Sequence, residues 1–126
     1  MTYSEQESIN RLLTIIDACN TVTLLDIQFN GNADEKLPIK DLFDDKFNIL
    51  ISPENKKIII RVLSENMNDF DFCHYCFRKD NKIIAEGFDH CEINNFNPDY
   101  FTNSDTLREN LEEVEFGFTY NFSNFW

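Results

Sequence analysis

Basic residues are scarce in this chain. Lys and Arg together number 11 against 23 Asp and Glu, which leaves a formal charge of −12 over 126 residues. Direct recognition of nucleic acid is therefore disfavoured, because phosphate contacts are made by Lys and Arg. Glycine and proline are also few, at three each. That argues against low complexity and disorder, and it leaves too few glycines for most phosphate-cradling loops. There is no Gly-x-Ser-x-Gly elbow and no pair of histidines at helical spacing, so the common hydrolase and zinc-protease signatures are missing. No stretch approaches the ~20 apolar residues of a membrane span. The opening Met1-Thr-Tyr-Ser-Glu-Gln-Glu carries no base, and Leu12 to Ile16 is too short for a signal peptide. The expectation is a cytoplasmic protein in which Cys19, Cys73, Cys76 and Cys91 are reduced thiols.

What the chain does have is phenylalanine, thirteen copies, with four Tyr and one Trp. Aromatic rings bury large areas, so the core is expected to be built on Phe. An AT-rich coding genome accounts for part of that count. A chain of this length suits one domain, residues 1–126, which needs no metal or disulfide staple. The acidity lies at the two ends. Residues 84–126 hold nine acids against Arg108, and residues 1–35 hold six against Arg11, whereas residues 36–83 are nearly neutral. Such a distribution favours a basic partner, although net negative charge also serves simple solubility.

Ser4-x-x-Glu7 has the form of a capping box, followed by Ile9, Leu12, Leu13, Ile16 and Cys19 at helical spacing. An amphipathic helix is predicted over about 4–19. Strand character follows at 21–29, with a turn at Asn30-Gly31-Asn32 and a short helix near Ile39–Phe43. Alternation on both sides of Pro53–Lys56 predicts a hairpin that pairs 47–52 with 58–63. A second hairpin, 69–78 with 82–88, turns at Asp80-Asn81. Its expected register sets Phe77 opposite Ile84, Tyr75 opposite Glu86 and Cys73 opposite Phe88. Residues 91–101 contain a loop. A short helix capped by Asn103 or Ser104 runs to about Glu113, and a period-two strand covers 114–122. The terminal Phe125 and Trp126 are expected to dock on the core. The fold class is α+β, an antiparallel meander of about five to six strands with an N-terminal amphipathic helix and a short C-terminal helix packed on it.

Two groups of residues invite a chemical reading. Cys73-His74-Tyr75-Cys76 with His90-Cys91 has the residue types of a zinc site or of a Cys–His nucleophile pair. In a strand, however, Cys73 and Cys76 point to opposite faces, and His74 and Cys76 stand roughly 7 Å apart, so buried thiols acting as small hydrophobes are preferred. No cofactor and no metal are expected. The spacing of Asp41, Asp44 and Asp45 lacks the Gly and distal Glu of a calcium loop. The other group is Asp105, Glu109, Glu112, Glu113 and Glu115. On a helix, residues 109, 112 and 113 share one exposed side, where like charges repel near a C-terminus that disfavours them. Both a solvated face and a site for a cationic partner look like this.

In size, charge and general architecture, rather than in any motif, the chain resembles the immunity proteins that neutralise bacterial toxins of contact-dependent inhibition and polymorphic toxin systems. It is similar in the same respects to the acidic DNA-mimic inhibitors. The resemblance implies a non-enzymatic bacterial inhibitor whose carboxylates meet a basic toxin or nuclease. Asp105, Glu109, Glu112, Glu113 and Glu115 would form the binding face, with Tyr100, Phe101, Phe125 or Trp126 as aromatic anchors. The alternatives are another protein-interaction module, or a small enzyme or zinc site at the Cys73–Cys91 cluster.

Overall fold

The structure, a computed structural model, describes residues 5–29, 48–66 and 72–120. The elements run α1 (Glu5–Ala18), β1 (Thr23–Phe29), β2 (Asn48–Ile51), α2 (Lys56–Asn66), β3 (Phe72–Lys79), β4 (Lys82–Phe88), β5 (Ile93–Phe96), α3 (Asp105–Asn110) and β6 (Glu115–Phe118). The expected turn at 30–32, the helix near 39–43, the calcium-like aspartates and the terminal aromatics lie outside the described residues. The strands form one open sheet in the order β2-β1-β3-β4-β5-β6. Its first four neighbour pairs are antiparallel and β5–β6 is parallel. The protein is thus α+β with a mostly antiparallel sheet. The last pair departs from a meander because α3 lies between its strands and returns the chain to start β6 beside the start of β5.

The largest correction concerns residues 58–63, which are helical rather than the second arm of a hairpin. Ser52-Pro53-Glu54-Asn55 starts the helix. The Ser52 Oγ accepts from the Asn55 N–H at 3.2 Å while the Asn55 Oδ1 accepts from the Ser52 N–H at 2.8 Å. This is the reciprocal bonding of a capping box with Pro in the first helical position. Ile59 and Leu63, four apart, are buried, while Lys57, Ile58 and Arg61 face out. The helix also serves its neighbour: the Lys56 ammonium donates to the Asp17 carbonyl at 2.6 Å and the Cys19 carbonyl at 3.0 Å, meeting two orphan acceptors at the C-terminus of α1.

The three described helices feed one core. From α1 come Ile9, Leu12, Ile15 and Ile16, with Cys19 just past its end, from α2 Ile59 and Leu63, and Leu107 of α3 is joined by Leu111 just beyond it. They pack on Leu25, Ile27, Ile49, Ile51, Tyr75, Phe77, Ala85 and Phe96 of the sheet. The centre is aromatic, as the Phe count suggests. Phe77 meets Phe101 edge-on at 5.2 Å and Tyr75 at 5.8 Å, and Phe96 contacts Phe101 at 5.5 Å. Phe101, offered above as an exposed anchor, is only 2 % exposed and belongs to this core.

The β3–β4 hairpin turns at Asp80-Asn81, with φ of 52° and 65°, as the left-handed two-residue turn requires. Its register differs from the expected one. Irregular pairing between Phe77 and Arg78 sets Phe77 opposite Ala85 and Tyr75 opposite Gly87. One slipped residue therefore lays the Tyr75 ring over a glycine. Within 91–101, a stretch expected to contain a loop, residues 93–96 form β5.

Between β4 and β5 the chain makes a left-handed turn through three non-glycine residues, Asp89, His90 and Cys91, with φ of 53°, 60° and 68°. The surroundings hold it there. The His90 N–H donates to the Cys73 carbonyl at 3.0 Å, and the Asn94 Nδ2 donates to the Cys91 carbonyl at 2.7 Å. Each such residue costs on the order of 1–2 kcal/mol relative to right-handed backbone, less for Asp. Asp89 is exposed. Asp89→Gly is therefore expected to raise stability by about 0.5–1 kcal/mol, offset in part by glycine's freedom when unfolded. In urea titrations the midpoint should rise at constant slope, and a lower midpoint would show that the Asp89 side chain itself supports the turn.

Candidate functional site

The described residues enclose an acidic cleft where three elements meet. The amphipathic pattern of α1 turns Ile9 and Leu12 inward and leaves Glu7 and Arg11, one turn apart, on its flank. They form an ion pair at 4.0 Å in which the Arg11 side chain is 12 % and Glu7 57 % exposed. The left-handed turn after β4 delivers Glu92 and Ile93 beside them. Ser104 caps α3 by accepting from the Leu107 N–H at 3.1 Å, and Leu107 and Leu111 are buried. This anchorage brings Glu109 and the 112–115 segment to the same cleft.

The cleft has two adjoining hollows. One, of about 480 Å³, is lined by Glu7, Arg11, Glu92, Ile93, Glu113, Val114 and Glu115. The other, of about 250 Å³, is lined by Glu7, Asn10, Arg11, Glu109, Asn110, Glu112 and Glu113. Six glutamates thus face a space whose one lining base, Arg11, is already paired with Glu7. The rim is held from beneath by Asn94, a buried residue. Its Oδ1 accepts from the Tyr75 hydroxyl at 2.8 Å, and its Nδ2 donates to the carbonyls of Cys91 and, at 3.1 Å, Glu115. The Glu115 N–H donates in turn to the Glu92 carbonyl at 2.9 Å. Two of the glutamates are therefore fixed relative to each other through backbone.

Four of the five acidic residues singled out in the sequence, Glu109, Glu112, Glu113 and Glu115, line this cleft, although not on one helix face. Helix α3 ends at Asn110, so Glu112 and Glu113 stand in the following turn and Glu115 opens β6. Asp105 lies apart, in the first turn of α3, where a carboxylate complements the helix dipole. Sequence reasoning missed Glu7 and Glu92. Glu7 was spent on the capping box, and no local pattern could bring residue 92 to residues 7 and 113.

The cysteine–histidine cluster does not bring its side chains together as one ligand set. Cys73 is half-buried with its thiol 3.5 Å from the Gln28 carbonyl. Cys76 is buried on β3, paired across the sheet with Asp26 on one side and Glu86 on the other. Cys91 lies in the core, its thiol 3.8 Å from the Ser8 carbonyl. Among the described residues, no three of the His, Cys, Asp and Glu side chains gather as ligands for one metal ion. Burial pushes the Cys76 thiol up to about 12 against the pull of Arg78, and it pushes Cys91 up to about 12 against the pull of Arg11. Both are protonated at neutral pH, the opposite of what a nucleophile or thiolate ligand needs.

No described helix is long and apolar enough to cross a membrane. Compared with protein families, curated proteins and solved structures, the chain matches none.

Proposed function

We propose that this protein is a non-enzymatic inhibitor that acts in the bacterial cytoplasm as an immunity protein. It binds and neutralises a basic toxin or nuclease by receiving Lys or Arg side chains in the acidic cleft. The observation that carries this reading is the convergence of Glu7, Glu92, Glu109, Glu112, Glu113 and Glu115 on one space, with Arg11 its single base. Like charges brought together from distant parts of a chain raise the energy of the fold, and an incoming guanidinium or ammonium relieves that repulsion. The burial of Cys76 and Cys91, which keeps their thiols protonated, favours binding over thiol chemistry at those two residues. Long-range attraction accelerates encounter, and it weakens with salt because the screening length is about 8 Å at physiological ionic strength.

The test is affinity capture from native lysate at low and then high salt, followed by association kinetics with the captured partner. A stoichiometric basic protein is expected. Joint charge reversal of Glu109, Glu113 and Glu115 to Lys should slow association at low salt on the order of 10- to 100-fold, whereas Asp105→Lys, outside the cleft, should change it far less. An on-rate unmoved by the triple reversal would remove the cleft from the interface.

A further inference from the structure

Two lysines, Lys79 and Lys82, stand opposite each other at the other end of the sheet from the acidic cleft. Strand β4 begins at Lys82, beside the hairpin turn, and ends near Glu92, so the two regions are separated by its length, roughly 20 Å at ~3.3 Å per residue. At that far end a cavity of about 300 Å³ opens between the tip of the β3–β4 hairpin, the segment after β5 and Tyr120, two residues past β6. It is lined by Lys79, Asp80, Lys82, Asn97, Tyr100 and Tyr120, together with Ile83 and Ile84 of β4.

The polar groups of this cavity are mostly donors. Lys79 and Lys82 sit directly opposite each other across the hairpin, a placement that repels unless an anion bridges it. Lys79 is held in position, donating to the Val22 carbonyl at 3.1 Å and standing 6.0 Å from the Tyr100 ring centre. Lys82 is exposed. The Asn97 Oδ1 accepts from the Asp99 N–H at 2.9 Å, which leaves its Nδ2 donors for a ligand. Asp80 is the single carboxylate on the lining, exposed at the tip of the turn. The Tyr120 hydroxyl contacts the Asp99 Oδ1 at 3.4 Å, and the residue is 65 % exposed. Its ring is available for stacking.

We propose that this cavity binds a phosphate monoester carried on a flat ring, of the size of a nucleoside monophosphate. The phosphate would sit between Lys79 and Lys82 within reach of the Asn97 amide, and the ring would lie against Tyr120. Ammonium groups recognise phosphate as point charges, and a tyrosine face accepts any flat base. The volume lies at the lower end of small-molecule sites. The chain's overall negative charge does not forbid this. At physiological salt, charges roughly 20 Å away are screened over more than two Debye lengths.

The experiment is an amide NMR titration of the full chain at physiological salt with adenosine monophosphate, phenyl phosphate, inorganic phosphate and adenosine. Saturable shifts at Lys79–Ile84, Asn97 and Tyr120 are expected with the two ring-bearing phosphates, weaker ones with phosphate alone and the weakest with adenosine. Lys82→Ala should lower affinity for the ring-bearing phosphates about tenfold. Tyr120→Leu should lower it for the same two while leaving inorganic phosphate unchanged. Both positions are exposed, and the unliganded spectra report whether the variants fold. Absence of saturable shifts at millimolar ligand, shifts located elsewhere, or full affinity in Lys82→Ala would each overturn the proposal.

Discussion

Gly87→Ala is expected to be the most damaging conservative substitution in the sheet, lowering stability by about 3–5 kcal/mol. Gly87 pairs with Tyr75 across β3 and β4. A Cβ at that position would fall within the Tyr75 ring, against Cε2, Cζ and Cδ2, the last at 2.7 Å. The ring has no free space to enter, since Tyr75 is completely buried against Phe77. Overpacking of a tight core costs ~1–3 kcal/mol. A displaced ring also pulls its hydroxyl from Asn94, and an unmet buried acceptor adds ~1–3 kcal/mol. The loss is a large part of the 5–15 kcal/mol typical of a whole domain. Gly117→Ala is the control. Nothing lies within 4 Å of a Cβ there, so it should change stability by less than ~0.5 kcal/mol. In a Tyr75→Leu background Gly87→Ala should lose most of its cost, which a double-mutant cycle measures directly. Equal effects of the two glycine substitutions in urea unfolding would show that the ring is not held over Gly87.

The same pair shows where the fold could be read from the chain and where it could not. Helix α1 was legible because five apolar residues repeat at 3.6-residue spacing, and the Asp80-Asn81 turn because few residue pairs tolerate two consecutive left-handed positions. The pairing of Lys79 with Lys82 followed from that turn. One step further the alternation failed, because an irregularity after Phe77 shifts the register by a residue and periodicity carries no signal for it. Residues 58–63 misled for a related reason. Ile58, Ile59, Ile60 and Val62 are β-branched, so local propensity favoured a strand. The deciding signal was the capping pair Ser52 and Asn55 around Pro53, which also resembles a loop. Parallel pairing of β5 and β6 depends on where α3 packs, a tertiary outcome that no local window contains.

The candidate site was half legible. The glutamates of residues 109–115 stand out because they are dense in sequence. Their partners in the cleft do not, because Glu7 and Glu92 arrive through the docking of α1 and through three consecutive left-handed residues. The crowding of acids at 109–113 is read from the sequence as one helix face, but the helix stops at Asn110. The true source of crowding is convergence of three elements. This is why Asp105, close in sequence, does not share it while Glu92, far away, does.

Alkaline conditions should unfold this protein unusually steeply, and the cysteines are the cause. Burial lifts the thiols of Cys76 and Cys91 from 9.0 to about 12 in the folded chain. Burial likewise moves the Tyr75 hydroxyl well above its ordinary 10.0. The folded state therefore keeps protons that the unfolded chain releases. For groups raised in this direction, the stabilising contribution is complete below pH 9 and is lost as the pH climbs through about 12. Between those values each thiol removes on the order of 1 kcal/mol per pH unit, so the pair removes about 2–3. By pH 11 the accumulated loss is on the order of 5 kcal/mol, comparable to the entire stability of many domains. General repulsion in a chain of charge −12 also grows with pH as lysines neutralise, so the thiol contribution must be isolated by comparison. The double variant Cys76→Ala, Cys91→Ala starts less stable because it leaves two small cavities. Its unfolding free energy should nevertheless fall with pH less steeply than the parent's between pH 9.5 and 11, by about 2–3 kcal/mol per unit. Urea titrations across that range give both slopes. Parallel slopes would mean that the two thiols ionise as readily in the folded chain as in the unfolded one, and that Cys91 does not sit against the Ser8 carbonyl in a closed core.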